Sequence, residues 1–142
     1  MLYNLHTLYY NIFSLIFIVY FITIIMNIES FREYCLNKKG VSESFPFNET
    51  VLVFKVLDKM FALTDLDSEF KISLKCEPKT GNELREKYKA VDYAYHFNKK
   101  HWISVRSDGS LSNTFIEDLI DHSYDQVVLN MTKKKQKELF NL

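Results

Sequence analysis

The chain has 142 residues, enough for one domain with one core, and its 18 basic and 18 acidic side chains cancel. A zero balance excludes a long-range field that gathers polyanions, so any nucleic-acid contact has to come from a local patch. Three widely separated glycines, Gly40, Gly81 and Gly109, exclude the P-loop and Rossmann phosphate cradles, which need several close together.

Met1 to Ile25 contains no Asp, Glu, Lys or Arg. Its apolar run from Leu8 to Ile25 sits at the lower limit for spanning a bilayer. A cleaved signal fits poorly, because no basic residue precedes the run and Thr23-Ile24-Ile25 is too bulky for a cleavage site. Two readings stay open. A single membrane-spanning helix would be oriented by Arg32, Lys38 and Lys39 with the following domain in the cytoplasm. Alternatively, Met26 is the true start, which the Leu, Tyr, Asn, Ile and Phe bias of the segment and the lack of a linker favour. Either way, a cytoplasmic domain begins at Met26.

From Asn27, a good helix cap, Ile28, Phe31, Cys35 and Leu36 recur at helical spacing, predicting an amphipathic helix over 28–38 with Gly40 just past its end. SFPFNET then turns the chain into an extended run over 51–56, with a hairpin return over 60–63 after Asp58-Lys59. FKISLK (70–75) alternates as a third strand. Pro78 is expected to break the chain before a short helix over 82–88. Residues 91–97 look extended, and 101–106 form a strand ending at the Ser107-Asp108-Gly109 turn. Phe115, Ile116, Leu119, Ile120, Tyr124, Val127 and Val128 line one face of a long last helix. Lys133 to Lys137 read as basic and frayed, so 26–135 is the domain and 136–142 a tail. The order of elements gives an α+β fold, an antiparallel sheet covered by helices.

Cys35 and Cys76 are far apart and form no CxxC, which fits two buried thiols in a reducing compartment. No GxSxG or HExxH occurs, and Asp121, His122 and Ser123 are too close along a helix to face one another as a triad. No enzyme activity and no cofactor are expected. His96 and His101, with Cys76 as a third ligand, make no recognised metal spacing, so no metal site is expected either.

FPF (45–47), FKV (54–56), KMFAL (59–63), SLKCEP (73–78), YHFNKKHW (95–102) and DHSYD (121–125) together resemble the MmcQ/YjbR family of small bacterial proteins. The likeness covers residues 26–135 in order, and Met26 falls where family members begin. It implies a CyaY-like fold, similar to frataxin, and DNA binding through a double-wing arrangement of β-structure. Residues 1–25 have no counterpart. An iron role, which a frataxin-like fold invites, finds little support, because the first helix mixes Glu29 and Glu33 with Arg32.

The stretch Asn98-Lys99-Lys100-His101-Trp102 is the leading candidate contact surface, with Arg106 on the same strand face as Trp102. The bland reading makes Trp102 a core anchor and the lysines a solvated turn. Lys55 and Lys59 could form a second wing beside Lys71 and Lys75, and the lysines at 133–137 could add contacts to phosphate. The expected function is a DNA-binding module. The alternative is a protein- or small-ligand-binding domain that uses the same aromatic surface.

Overall fold

The computed structural model describes residues 5–142, with only the backbone for 21–24. Helix α1 (Leu5–Ile24) precedes the domain, and every side chain from Leu5 to Tyr20 is exposed. Among the described residues, no helix is long and apolar enough to cross a membrane.

Asn27 caps α2 (Ile28–Leu36) through a reciprocal box. Its side chain accepts from the Ser30 amide at 2.9 Å, and Ser30 Oγ accepts from the Asn27 amide at 2.9 Å. Gly40, at φ +69°, then turns the chain into a strand absent from the sequence expectation, β1 (Val41–Ser44). Its sequence, VSES, is too polar to read as a strand, which suits a sheet edge. Strands β2 (Val51–Val56) and β3 (Lys59–Asp65) form a hairpin whose turn is Leu57-Asp58, one residue earlier than expected. Both turn residues have positive φ, 42° and 68°, as a tight hairpin turn requires.

After β4 (Lys71–Lys75), Pro78 opens α3 (Pro78–Lys87) instead of breaking the chain. Proline lacks only an N–H that the first helical turn leaves unbonded anyway. Only Val91–Tyr93 of the expected 91–97 extension is a strand, β5, and the chain then folds back through turns to β6 (Trp102–Arg106). Ser112 caps α4 (Asn113–Leu129).

The expected frayed tail is also corrected: residues 133–140 form α5 (Lys133–Phe140), capped by Thr132 and anchored by buried Leu139. The domain therefore reaches past 135.

The sheet is six-stranded and antiparallel, in the order β1-β2-β3-β4-β6-β5. Helix α4 lies across β3 and β4, with α2 against β1 and α3 against β5. Strand alternation sends Leu52, Phe54, Ile72, Leu74, Ile103 and Val105 into the core beneath the helices. A bulge at Phe54/Lys55 inserts Phe61, so Phe61 and Ala62 both enter this core while Met60 and Leu63 turn to the opposite face. There they join Val53, Ala94, Phe97 and Trp102 in a second, smaller cluster. The fold class read from the sequence, α+β with an antiparallel sheet covered by helices, holds.

One buried hydroxyl fastens helix to sheet. Ser123 Oγ accepts from the Lys75 amide at 2.8 Å and donates to the Phe61 carbonyl at 2.5 Å. Ser123 is thus a structural tie between α4 and the sheet.

Candidate nucleic-acid interface

Strands β3, β4 and β6 bring one set of ends together beside the junction of α4 and α5. Lys59 begins β3, Lys75 ends β4, His101 leads into β6 and Lys135 stands in the first turn of α5. With Gln126, Asn130, Thr132 and Met131 they line a cleft of about 550 Å³. No Asp or Glu lines it. Among the described residues, none of these four takes part in a salt bridge. Lys75 Nζ lies 5.7 Å from the centre of the Trp102 ring.

The first turn of α5 carries Lys133, Lys134 and Lys135 and no acidic residue. Unpaired amides already make a helix N-terminus positive, and three ammonium groups there oppose helix stability. A bound anion would relieve that conflict.

The expected contact residues divide. Lys99 and Lys100 are exposed in the turn leading to His101, with Lys99 Nζ 5.2 Å from the Tyr95 ring centre. Asn98 shapes that turn: its side chain accepts from the Lys100 amide at 3.0 Å and its carbonyl from the His101 amide at 2.9 Å. Trp102 is only 6% exposed and lies against Phe97 with ring centres 5.2 Å apart, so it offers no face for stacking a base. Of the two readings of Trp102, the core anchor is the one the structure shows, and the expected base contact is corrected. Lys55 is half-buried on the open sheet face, paired with Met60.

Arg106 does share the face of Trp102, but four residues put it about 13 Å away along the strand. Its guanidinium donates to the Lys89 carbonyl, and it takes no part in the cleft. Lys71 also stands at that far end and pairs with Glu69 at 3.0 Å.

Lys135 is one of the tail lysines expected to reach phosphate, whereas its place in a helix beside Asn130 and Thr132 was reachable from the sequence only through helix capping. Thr132 followed three residues later by Lys135, with Leu139 as a lone apolar anchor, is a cap-and-face pattern hidden by a run of lysines.

A second concavity, of about 470 Å³, lies on the open face of the sheet. Phe47, Val51, Leu63, Tyr95 and Phe97 supply its apolar lining and Asp65, Lys71, Ser73 and Ser104 polar groups. His96 lines this groove and His101 the basic cleft, so the two do not converge on Cys76. Cys76 is met instead by Glu77 and His122.

Fold and cleft together define a small α+β domain with an open antiparallel sheet and a cationic hollow at one end of it. The chain belongs to the YjbR family, whose model matches residues 36–126. The protein YjbR of Escherichia coli K12 is 34% identical over 118 residues, which span 82% of this chain and 100% of that protein. YbdF of Escherichia coli O157:H7 is 33% identical over 112 residues, 78% of this chain and 92% of YbdF. Among solved structures, the Deinococcus radiodurans protein DR2400, a DUF419 domain, superposes with a TM-score of 0.75 at 37% identity, covering 81% of this chain and 88% of its own. A Pseudomonas syringae protein gives a TM-score of 0.60 at 30% identity over 69% of this chain and 96% of its own.

Proposed function

We propose that the cleft bounded by Lys59, Lys75, His101 and Lys135 binds the phosphate backbone of DNA, as part of a non-catalytic cytoplasmic module. One observation carries the reading: lysines from three separate elements, β3, β4 and α5, line one hollow beside His101 with no carboxylate in its lining. The β2–β3 hairpin and the turn at 99–101 are then the two wings, with Lys55 behind one and Lys99 and Lys100 on the other. Contact is to phosphate and not to bases, because Trp102 is buried.

The test is fluorescence anisotropy of labelled duplex and single-stranded DNA of random sequence at low and moderate salt. Wild type should bind at low salt and release steeply as salt rises. Lys59→Glu/Lys135→Glu should weaken binding at least about tenfold, while Lys89→Glu, at the far end of the sheet, should not. No binding by wild type, or equal weakening in both variants, removes the proposal.

The aromatic groove on the open face favours a second reading, a flat small ligand held by Phe47, Tyr95 and Phe97. In that case a thermal-shift screen gives hits that Phe97→Ala abolishes and Lys59→Glu/Lys135→Glu leaves intact.

A further inference from the structure

Cys76, Glu77 and His122 bring a sulfur, a carboxylate oxygen and an imidazole nitrogen within 4.8 Å of one another. We propose that these three side chains bind a divalent metal ion of the zinc class, with a fourth coordination position facing the basic cleft.

The backbones that carry them are fixed. The Cys76 amide donates to the His101 carbonyl at 3.0 Å, and the Glu77 carbonyl accepts from the Gly81 amide at 2.8 Å as α3 begins. On the other side, Ser123 ties α4 to the Lys75 amide, one residue from Cys76 and one from His122. The ligands therefore come from two segments riveted together beside the site, which limits the ordering cost of bringing them onto one ion.

The side chains need only small movements. Tetrahedral zinc with bonds of about 2.0–2.3 Å spaces its ligand atoms about 3.3–3.7 Å apart. His122 Nε2 and Glu77 Oε2 stand 2.7 Å apart and must open by under about 1 Å, a shift within the reach of rotamer adjustment. Gln126 donates its amide to the other Glu77 oxygen and orients the carboxylate from outside.

Burial opposes charge on Glu77, yet the hydrogen bonds from His122 and Gln126 hold its carboxyl below the usual range, so it is an anion at neutral pH. Burial, with the Glu77 charge beside it, pushes the Cys76 thiol up to about 11. Coordination therefore replaces the S–H bond with an S–metal bond and releases that proton to solvent, while His122 binds through Nε2 as the tautomer that carries its proton on Nδ1.

Donor chemistry selects the ion. One thiolate, one imidazole and one carboxylate suit zinc and its neighbours, not magnesium or calcium, which take oxygen ligands. Cys76 and Gln126 also line the basic cleft, so the open position points to that hollow. A plain His122–Glu77 hydrogen bond joining α3 to α4 accounts for two of the three groups. The sulfur of Cys76, buried at the edge of the core beside Glu77, adds a third donor within reach of both.

The probe is Co²⁺ titrated into the full metal-stripped chain. The expected result is one equivalent bound, with a near-ultraviolet thiolate charge-transfer band that Zn²⁺ abolishes. Cys76→Ser should remove the band and Cys35→Ser should keep it. His122→Gln, a half-exposed change that leaves the core intact, should weaken Co²⁺ binding at least about tenfold. A missing band in wild type, a band that survives Cys76→Ser, or unchanged affinity in His122→Gln overturns the site. The readout needs no DNA, so it stands or falls apart from the cleft's proposed role.

Discussion

Lys71 and Lys75 lie four residues apart on the same face of the same strand, and their surroundings differ completely. At the Lys71 end, the ammonium pairs with Glu69, and neighbouring Arg106 is held by the Lys89 carbonyl. At the Lys75 end, Lys59, His101 and Lys135 gather around a hollow without any carboxylate. A chain with zero net charge can therefore hold a local cationic site where no acid lines the hollow, even with Glu77 close behind it. The contrast between the two ends is the physical basis of the proposed function.

The largest effect expected is on the tie that positions the cleft. Ser123→Ala leaves the Lys75 N–H and the Phe61 C=O without their partner, costing about 2–4 kcal/mol in urea unfolding. A cost below about 0.5 kcal/mol would show that α4 is held by its apolar face alone. Next comes the paired test of the two ends. Lys75→Ala should weaken DNA binding about three- to tenfold by anisotropy, and Lys71→Ala less than twofold. Similar weakening in both would erase the distinction between the ends.

A gain in stability is expected at the hairpin. Replacing exposed Asp58 with Gly relieves its positive φ while keeping Leu57 on the core, and should stabilise the fold by about 0.5–1 kcal/mol, read as a higher denaturant midpoint with no change in DNA binding. At α5, Lys133→Glu/Lys134→Glu places favourable charge on the helix N-terminus. It should raise Tm by about 1–3 °C while weakening DNA binding. A variant that is more stable and a poorer binder would mark those lysines as kept for function.

The smallest effect is alkaline. Burial raises the Cys35 thiol, and burial with the Glu77 charge raises the Cys76 thiol to about 11. A folded value above the unfolded one means this stabilisation is complete below about pH 8.5 and is lost as pH climbs through the folded values. Tm should fall across that window and stay flat from pH 6 to 8 if these thiols dominate. Cys35→Ala should flatten the alkaline fall.

Strong periodicity made α2, α4 and the central strands legible in the sequence, because apolar spacing at 3.6 or 2 leaves little choice of buried face. Elements that obey other rules were hidden. β1 is polar because it is an edge, α3 begins at the proline that suggested a break, and α5 is masked by lysines that oppose its own dipole. The candidate site was half legible for the same reason. Lys59 and His101 could be picked out from a strand and a turn. Lys135 joins them only once α5 exists, and the pairing of Cys76 with His122 depends on how α4 crosses β4. Arg106 went astray because sharing a strand face says nothing of the distance along it.

The slope of log binding constant against log salt concentration tests the account most directly. Wild type should give a steep negative slope, and Lys59→Ala/Lys135→Ala should flatten it by about 2, close to one unit for each phosphate no longer neutralised. Lys71→Ala should leave the slope unchanged. A flat wild-type slope, or an equal change in Lys71→Ala, would contradict a cationic cleft confined to one end of the sheet.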